Sequence, residues 1–249
     1  MTISEGLLAL EGGNVHVGQD GPRDAPVLVL IHGLGGSGRW WDPLVPALAR
    51  SHHVIRLDLL GHGRSAKPAG LGYEIADHGA RIGVVLNRLG VRHAVVAGHS
   101  TGGLIATALA GQRPDLVTAL ALVNTGLRVT ARIAEEVGFD ERAEDVREMS
   151  LHAFAASMQS ARDYVRRQAL PDRLRALGIP LLAVLGTDDH RSAAATAYRA
   201  VPGARVEALP GRSPVRGSPG RTAGLLAAFT ARHSVHAIGS RRPSTATGR

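Results

Sequence analysis

Six apolar runs rich in Val, Ile and Leu recur along the chain, at 27–31, 54–57, 94–97, 120–123, 181–185 and 206–209. They are continuous rather than alternating, the pattern of strands covered on both faces, and segments with helical spacing separate them. Strands that alternate with helices form right-handed crossover units in one sheet. Two further short segments, 7–10 and 14–17, flank Glu11-Gly12-Gly13 and predict an antiparallel hairpin at the sheet edge. The expected architecture is α/β, with an eight-stranded, mostly parallel sheet flanked by helices.

Between Asn124 and Gly178 the pattern changes: no strand-like run occurs, and charged residues fall at helical spacing over 133–137, 143–149 and 163–170. An insertion of about 125–178 directly after a core strand is too long for a structureless loop, so it predicts a helical cap over the carboxyl edge of the sheet. The last stretch, 233–249, holds Gly, Pro, Ser, Thr and Arg without periodicity and reads as a basic, unstructured tail on a single domain of 1–232.

Composition narrows the partners. The formal charge is +8, but residues 1–204 hold 21 basic and 20 acidic side chains, while 205–249 hold eight arginines against Glu207 alone. With 3% aromatics there is little to stack bases on, so the excess is read as a solvated terminus and no nucleic-acid partner is expected. The absence of cysteine excludes disulfides, thiolate metal sites and cysteine nucleophiles. No apolar run approaches the ~20 residues that span a bilayer, and the N-terminus lacks a secretory pattern, so a cytoplasmic monomer or homodimer without membrane contact is expected.

Two glycine-rich loops carry the candidate chemistry. Gly98-His99-Ser100-Thr101-Gly102-Gly103 lies between an apolar run and a helical run, and its glycines permit a turn tight enough to lift Ser100 clear of the sheet as a nucleophile. The first core run leads into His32-Gly33-Leu34-Gly35-Gly36-Ser37-Gly38. Gly33, Gly35 and Gly38 match a dinucleotide fingerprint, with Asp58 at the distance of a ribose-binding acid. Alternatively the loop's backbone N–H groups face the nucleophile and hold a developing oxyanion. Lys67 is the only lysine, which removes the Tyr-x-x-x-Lys of many small nicotinamide enzymes, and the dinucleotide reading leaves Ser100 unexplained.

Taken in order with Asp58-Leu59-Leu60-Gly61-His62-Gly63-Arg64-Ser65, these motifs resemble the signature of the α/β-hydrolase superfamily over about residues 7–230. The resemblance implies an α/β-hydrolase fold, no cofactor, no metal, and a small apolar or ester substrate. It implies an oxyanion hole at the backbone N–H groups of Leu34 and Thr101, the latter directly after the nucleophile. Trp40 and Trp41 resemble an aromatic pair that lines the substrate pocket or packs the first helix. The orienting acid maps to Asp189 in Thr187-Asp188-Asp189-His190, with Asp188 as the fallback.

At the base the chain departs from the pattern. The histidine expected after the last strand is replaced in Leu209-Pro210-Gly211-Arg212-Ser213-Pro214 by Arg212. A guanidinium stays protonated and cannot accept the serine proton. His190 is the best positional substitute among the twelve histidines, with His78 next. Three readings follow: a serine hydrolase of small carboxylic esters or related acyl substrates with weak or atypical activity; a non-catalytic small-molecule binder; or a lyase- or cyclase-type enzyme in which Arg212 binds a substrate carboxylate.

Overall fold

The computed structural model describes residues 3–70, 72–129, 149–188 and 194–234. Eight strands form one sheet: β1 (Ile3–Leu8), β2 (Val15–Asp20), β3 (Val27–Ile31), β4 (His53–Leu57), β5 (Ala94–His99), β6 (Val117–Val123), β7 (Leu181–Gly186) and β8 (Arg205–Leu209). Their order is β1-β2-β4-β3-β5-β6-β7-β8. β1 and β2 pair antiparallel as the expected edge hairpin, β2 joins β4 antiparallel, and every pairing from β4 to β8 is parallel.

Successive residues of a strand point to opposite faces, and both faces here are apolar. On β3, Val29 and Ile31 enter one core with Ile82, Val85 and Leu86 of α2 (Ile75–Arg88) and with Leu104, Ile105 and Leu109 of α3 (Thr101–Gln112). Leu28 and Leu30 enter the other, with Val45 and Leu48 of α1 (Val45–Leu48). That second core also takes Leu226 and Phe229 from the C-terminal helix, Pro219–His233. Burying one such leucine contributes about 1.5–3 kcal/mol, and the two-sided demand is why these runs read as continuous.

The hairpin differs from the sequence expectation in its bounds. Its first strand begins four residues earlier and ends two earlier, and its second runs on to Asp20, with Leu8 opposite Val15, because pairing Val17 with Leu57 carries β2 along β4. The insertion after β6 contains two described helices, α4 (Leu151–Arg167) and α5 (Leu170–Leu177). The Ser150 hydroxyl accepts from Ala153 N at 3.0 Å to cap α4. The expected helical run at 163–170 is broken at Gln168, where the backbone is extended, and α5 restarts with Pro171 in its first turn. The expected helical segment at 133–137 and most of that at 143–149 lie outside the described residues.

Two short helices follow, α6 (Ala195–Arg199) and α7 (Pro214–Gly217), and the C-terminal helix is α8 (Pro219–His233). It takes in the first residue of the expected tail: the His233 ring meets Phe229 edge-on, and Ser234 N donates to Thr230 O. Residues 235–249 lie outside the described residues.

Several histidines are built into this frame. His78 on α2 is 2% exposed, and burial, with Arg81 and His32 nearby, pushes its imidazole down to about 3; burial and Arg23 push His53 to about 4. In the unfolded chain both titrate near 6.5. Below that pH the unfolded state therefore binds more protons, and stability present above pH 6.5 is lost as pH falls toward the folded values. Each such histidine is expected to remove up to ~1.4 kcal/mol per pH unit in that window. Urea unfolding of the protein and of His78→Leu between pH 7 and pH 4.5 checks this: the variant should lose stability less steeply, and equal slopes would mean that His78 is not held neutral.

Candidate active site

The turn from β5 into α3 holds Ser100 at φ 52°, ψ −121°, a left-handed conformation that costs a non-glycine residue on the order of 1–3 kcal/mol. Packing enforces it. A Cβ on Gly98 would stand 2.3 Å from Gly102 O, and one on Gly102 would stand 2.4 Å from His32 O. Only glycine at these two positions lets β5, β3 and the start of α3 approach so closely. Ser100 N donates to Val123 O at 2.9 Å and Gly103 N to Ser100 O at 3.0 Å, so the sheet and the first helical turn both grip the serine.

The loop after β3 faces this turn. A Cβ on Gly33 would meet Ser100 Cβ at 3.1 Å. Leu34 and Thr101 come together, in a specific way: Leu34 N donates to Thr101 Oγ1 at 2.7 Å. Leu34 is 9% and Thr101 6% exposed, so this bond is shielded from water. The Leu34 side chain packs against Met158 of α4, with Val129, Met149 and Phe154 around it. The insertion thus supplies apolar groups directly above the loop. Ser160 on α4 also accepts from Ile75 N and donates to Glu74, tying α4 to the start of α2.

No hydrogen bond among the described residues reaches the Ser100 hydroxyl. The nearby histidines are committed elsewhere. His32 Nδ1 faces the Gly33 carbonyl at 2.7 Å and therefore carries the proton, while Nε2 accepts from Leu59 N at 3.0 Å. His62 lies fully buried beside it, held well below its ordinary value by burial, and is neutral. The His99 ring rests on Trp40 at 4.4 Å and meets Trp41 edge-on at 6.4 Å. His78 is enclosed beneath Tyr73 and serves α2 packing rather than the serine. Asp189 and His190 lie outside the described residues. Asp188 is exposed, and its carboxylate accepts from the Thr187 hydroxyl at 2.9 Å.

The two tryptophans divide. Trp41 has no exposed surface and sits in the core with Leu28 and Leu44, out of a ligand's reach. Trp40 is half-buried, between the His99 ring and the Arg216 guanidinium, which lies 4.4 Å over its face.

Asp58 accepts from Gly38 N at 2.6 Å and from Arg64 N at 2.9 Å, and His16 Nδ1 stands 3.3 Å away. Its carboxylate closes two loops onto one another. A ribose-binding acid needs those same oxygens facing a ligand, so the dinucleotide reading of the first loop fails on this residue.

Sequence reasoning missed Asn124. At φ 46° beyond β6 it is buried, its Oδ1 accepting from Gly186 N at 2.8 Å and its Nδ2 donating to Arg212 O at 2.5 Å. The side chain fastens the end of β7 to the loop that carries Arg212. The Arg212 side chain is exposed, while its backbone is held. A polar residue ending an apolar strand run was the only trace of this in the sequence.

Comparison with known proteins agrees with this architecture. A family model described as alpha/beta hydrolase fold matches residues 26–148. A protein of Escherichia coli O9:H4 (strain HS), named "Putative carbamate hydrolase RutD", is 41% identical over 108 residues, 43% of this chain and 41% of that one. The match therefore spans about two-fifths of the length of this curated relative. Among solved structures, a hydrolase from Pseudomonas aeruginosa PA01 superposes with a TM-score of 0.78 at 27% identity, covering 91% of this chain and 98% of the other. The enol-lactonase from Burkholderia xenovorans LB400 superposes with a TM-score of 0.74 at 25% identity, covering 91% and 100%.

The Asn124 bridge generates a stability prediction. Asn124→Ala leaves Gly186 N–H and Arg212 C=O without this partner and puts alanine at positive φ, with an expected loss of about 2–3 kcal/mol. Urea unfolding measures it. A change below ~0.5 kcal/mol would show that the bridge does not hold the loop.

Proposed function

Since this chain is an α/β-hydrolase-fold protein, we propose that it acts on small carboxylic esters or related acyl compounds through Ser100, with activity limited by the arginine at position 212. The observation that carries this reading is the strained Ser100 backbone, gripped from sheet and helix and facing the Leu34 loop. Strain of this kind persists only where the surroundings over-determine it, and it clusters at reacting groups. The carbamate and lactone chemistry in the names of the relatives is acyl chemistry of the same class. The cap of this reading is formed by α4 and α5, whose Phe154 and Met158 give the acyl side of the pocket an apolar wall.

In the proposed reaction Ser100 Oγ attacks the acyl carbon and the carbonyl π pair moves onto oxygen, where donors at the start of α3 stabilise it. Alcohol release and attack by water on the acyl-serine complete the turnover. Each step needs a base for the proton of the attacking hydroxyl, and Arg212 cannot serve. Loss of the histidine base costs about 10⁶ in kcat in a well-studied serine protease, while oxyanion stabilisation and binding retain roughly 10³–10⁴ over water. Weak hydrolysis is the expected outcome, with Asp189 as the acid and His190 as the candidate substitute base. Arg212 itself favours a second reading, a small-molecule binder or a non-hydrolytic enzyme whose guanidinium holds a carboxylate. The proposed setting is the cytoplasm, as a monomer or homodimer; among the described residues no helix is long and apolar enough to cross a membrane.

Two experiments separate these readings. An aryl phosphonate should modify Ser100 slowly and leave Ser100→Ala unlabelled by mass spectrometry; labelling at another serine would remove the nucleophile assignment. Because Asn124 holds the backbone of residue 212, Arg212→His should raise p-nitrophenyl ester hydrolysis by at least about 10²-fold, the low end for a positioned general base. That gain should vanish when Asp189 is changed to Asn. Fast hydrolysis by the unaltered protein that disappears in His190→Ala would instead put the base at His190.

A further inference from the structure

The two residues that the family resemblance assigns to the oxyanion hole are bonded to one another. Leu34 N–H points at Thr101 Oγ1 at 2.7 Å, so this amide is occupied by a side chain rather than open to a substrate oxygen. The Thr101 hydroxyl accepts that bond, and among the described residues no acceptor is paired with its own proton. A hydroxyl can accept and donate at once. Thr101 is also the first residue of the twelve-residue α3, where the backbone N–H has no intrahelical acceptor and the helix field favours negative charge.

Resting on the serine-hydrolase reading above, we infer that the Thr101 hydroxyl is itself an oxyanion donor, and that the Leu34 amide acts behind it as a positioning group. The acyl oxygen then meets two donors from one residue, Thr101 N–H and Thr101 Oγ–H. Leu34 N–H fixes the hydroxyl rotor so that its proton cannot turn back toward the loop, and polarises the O–H bond, since chained hydrogen bonds strengthen one another in a dry site. During attack the Ser100 Oγ–C bond forms, the π pair settles on the acyl oxygen, the serine proton passes to solvent water at the half-buried Ser100, and the Thr101 proton stays on the more deeply buried Oγ1. Burial keeps water from competing for that proton: Thr101 is 6% exposed, and Leu34 lies under Met158.

The test compares Thr101→Val, which keeps the shape and removes the hydroxyl, with Thr101→Ser, which keeps the hydroxyl. The readout is the rate of Ser100 modification by an aryl phosphonate, resolved into maximal rate and half-saturation, with thermal midpoints recorded for each variant. The expected result is a maximal rate about 10²-fold lower in Thr101→Val, the size of losing one oxyanion donor, with half-saturation little changed and Thr101→Ser within a few-fold of the unaltered protein. A merely structural hydroxyl would shift the thermal midpoint without this split. Equal or faster labelling of Thr101→Val overturns the inference, because the hydroxyl would then be dispensable or would block the Leu34 amide. If the unaltered protein is not labelled at Ser100, the hydrolase reading fails, and butyrate binding by calorimetry decides the inference separately. Affinity lost about tenfold in Thr101→Val and kept in Thr101→Ser supports it, whereas equal affinities, or no butyrate binding by any form, overturn it.

Discussion

The backbone of Ser100 is the constraint on which the rest of the site depends. A serine at φ 52° is stable only if its neighbours leave no alternative. Those neighbours are the main chain of Gly102 and the carbonyls of Ile31 and His32, approached closely enough that a Cβ on Gly98 or Gly102 would overlap them. The central parallel pairing supplies the force: β5 lies between β3 and β6, and all three strands bury aliphatic side chains on both faces. Hydrophobic burial spread over the sheet thereby offsets a few kcal/mol of local strain at one residue.

Around that turn the loops at the carboxyl edge are secured by buried polar groups. Asp58 gathers Gly38 N and Arg64 N, His32 links Gly33 O to Leu59 N, and Asn124 links Gly186 N to Arg212 O. Each meets backbone groups that would otherwise be buried without a partner, a deficit of about 1–3 kcal/mol apiece. Among the described residues these loops are therefore held by specific bonds as well as by packing. The same bonds remove Asp58 and His32 from catalysis, since their oxygens and nitrogens are already engaged.

The departure at position 212 sits among described residues whose framework is formed. The backbone there is pinned, its side chain is exposed, and the turn, the facing loop and the overlying α4 are all formed. A site that had lost its purpose would be under no pressure to keep a strained serine, because relaxing Ser100 would stabilise the fold. Retention of the strain alongside Arg212 is the observation from which the proposed acyl chemistry is argued.

The strand set, the edge hairpin and the position of Ser100 were legible in the sequence, because continuous apolar runs and glycines at a tight turn report directly on burial and backbone freedom. Strand ends shifted by a few residues, since pairing across to a neighbour decides where a strand stops. Arg212 was visible as a chemical oddity, because a guanidinium cannot be a base in any fold. Other features belonged to tertiary structure alone. That Trp41 is core while Trp40 is clasped by His99 and Arg216 depends on which face of a short turn meets the sheet. That Asn124 binds Arg212 O across 88 positions, and that Leu34 N–H is met by Thr101 Oγ1 across 67, are long-range hydrogen bonds. Local sequence specifies a donor or an acceptor, but only the folded chain decides which partner stands within 3 Å of it.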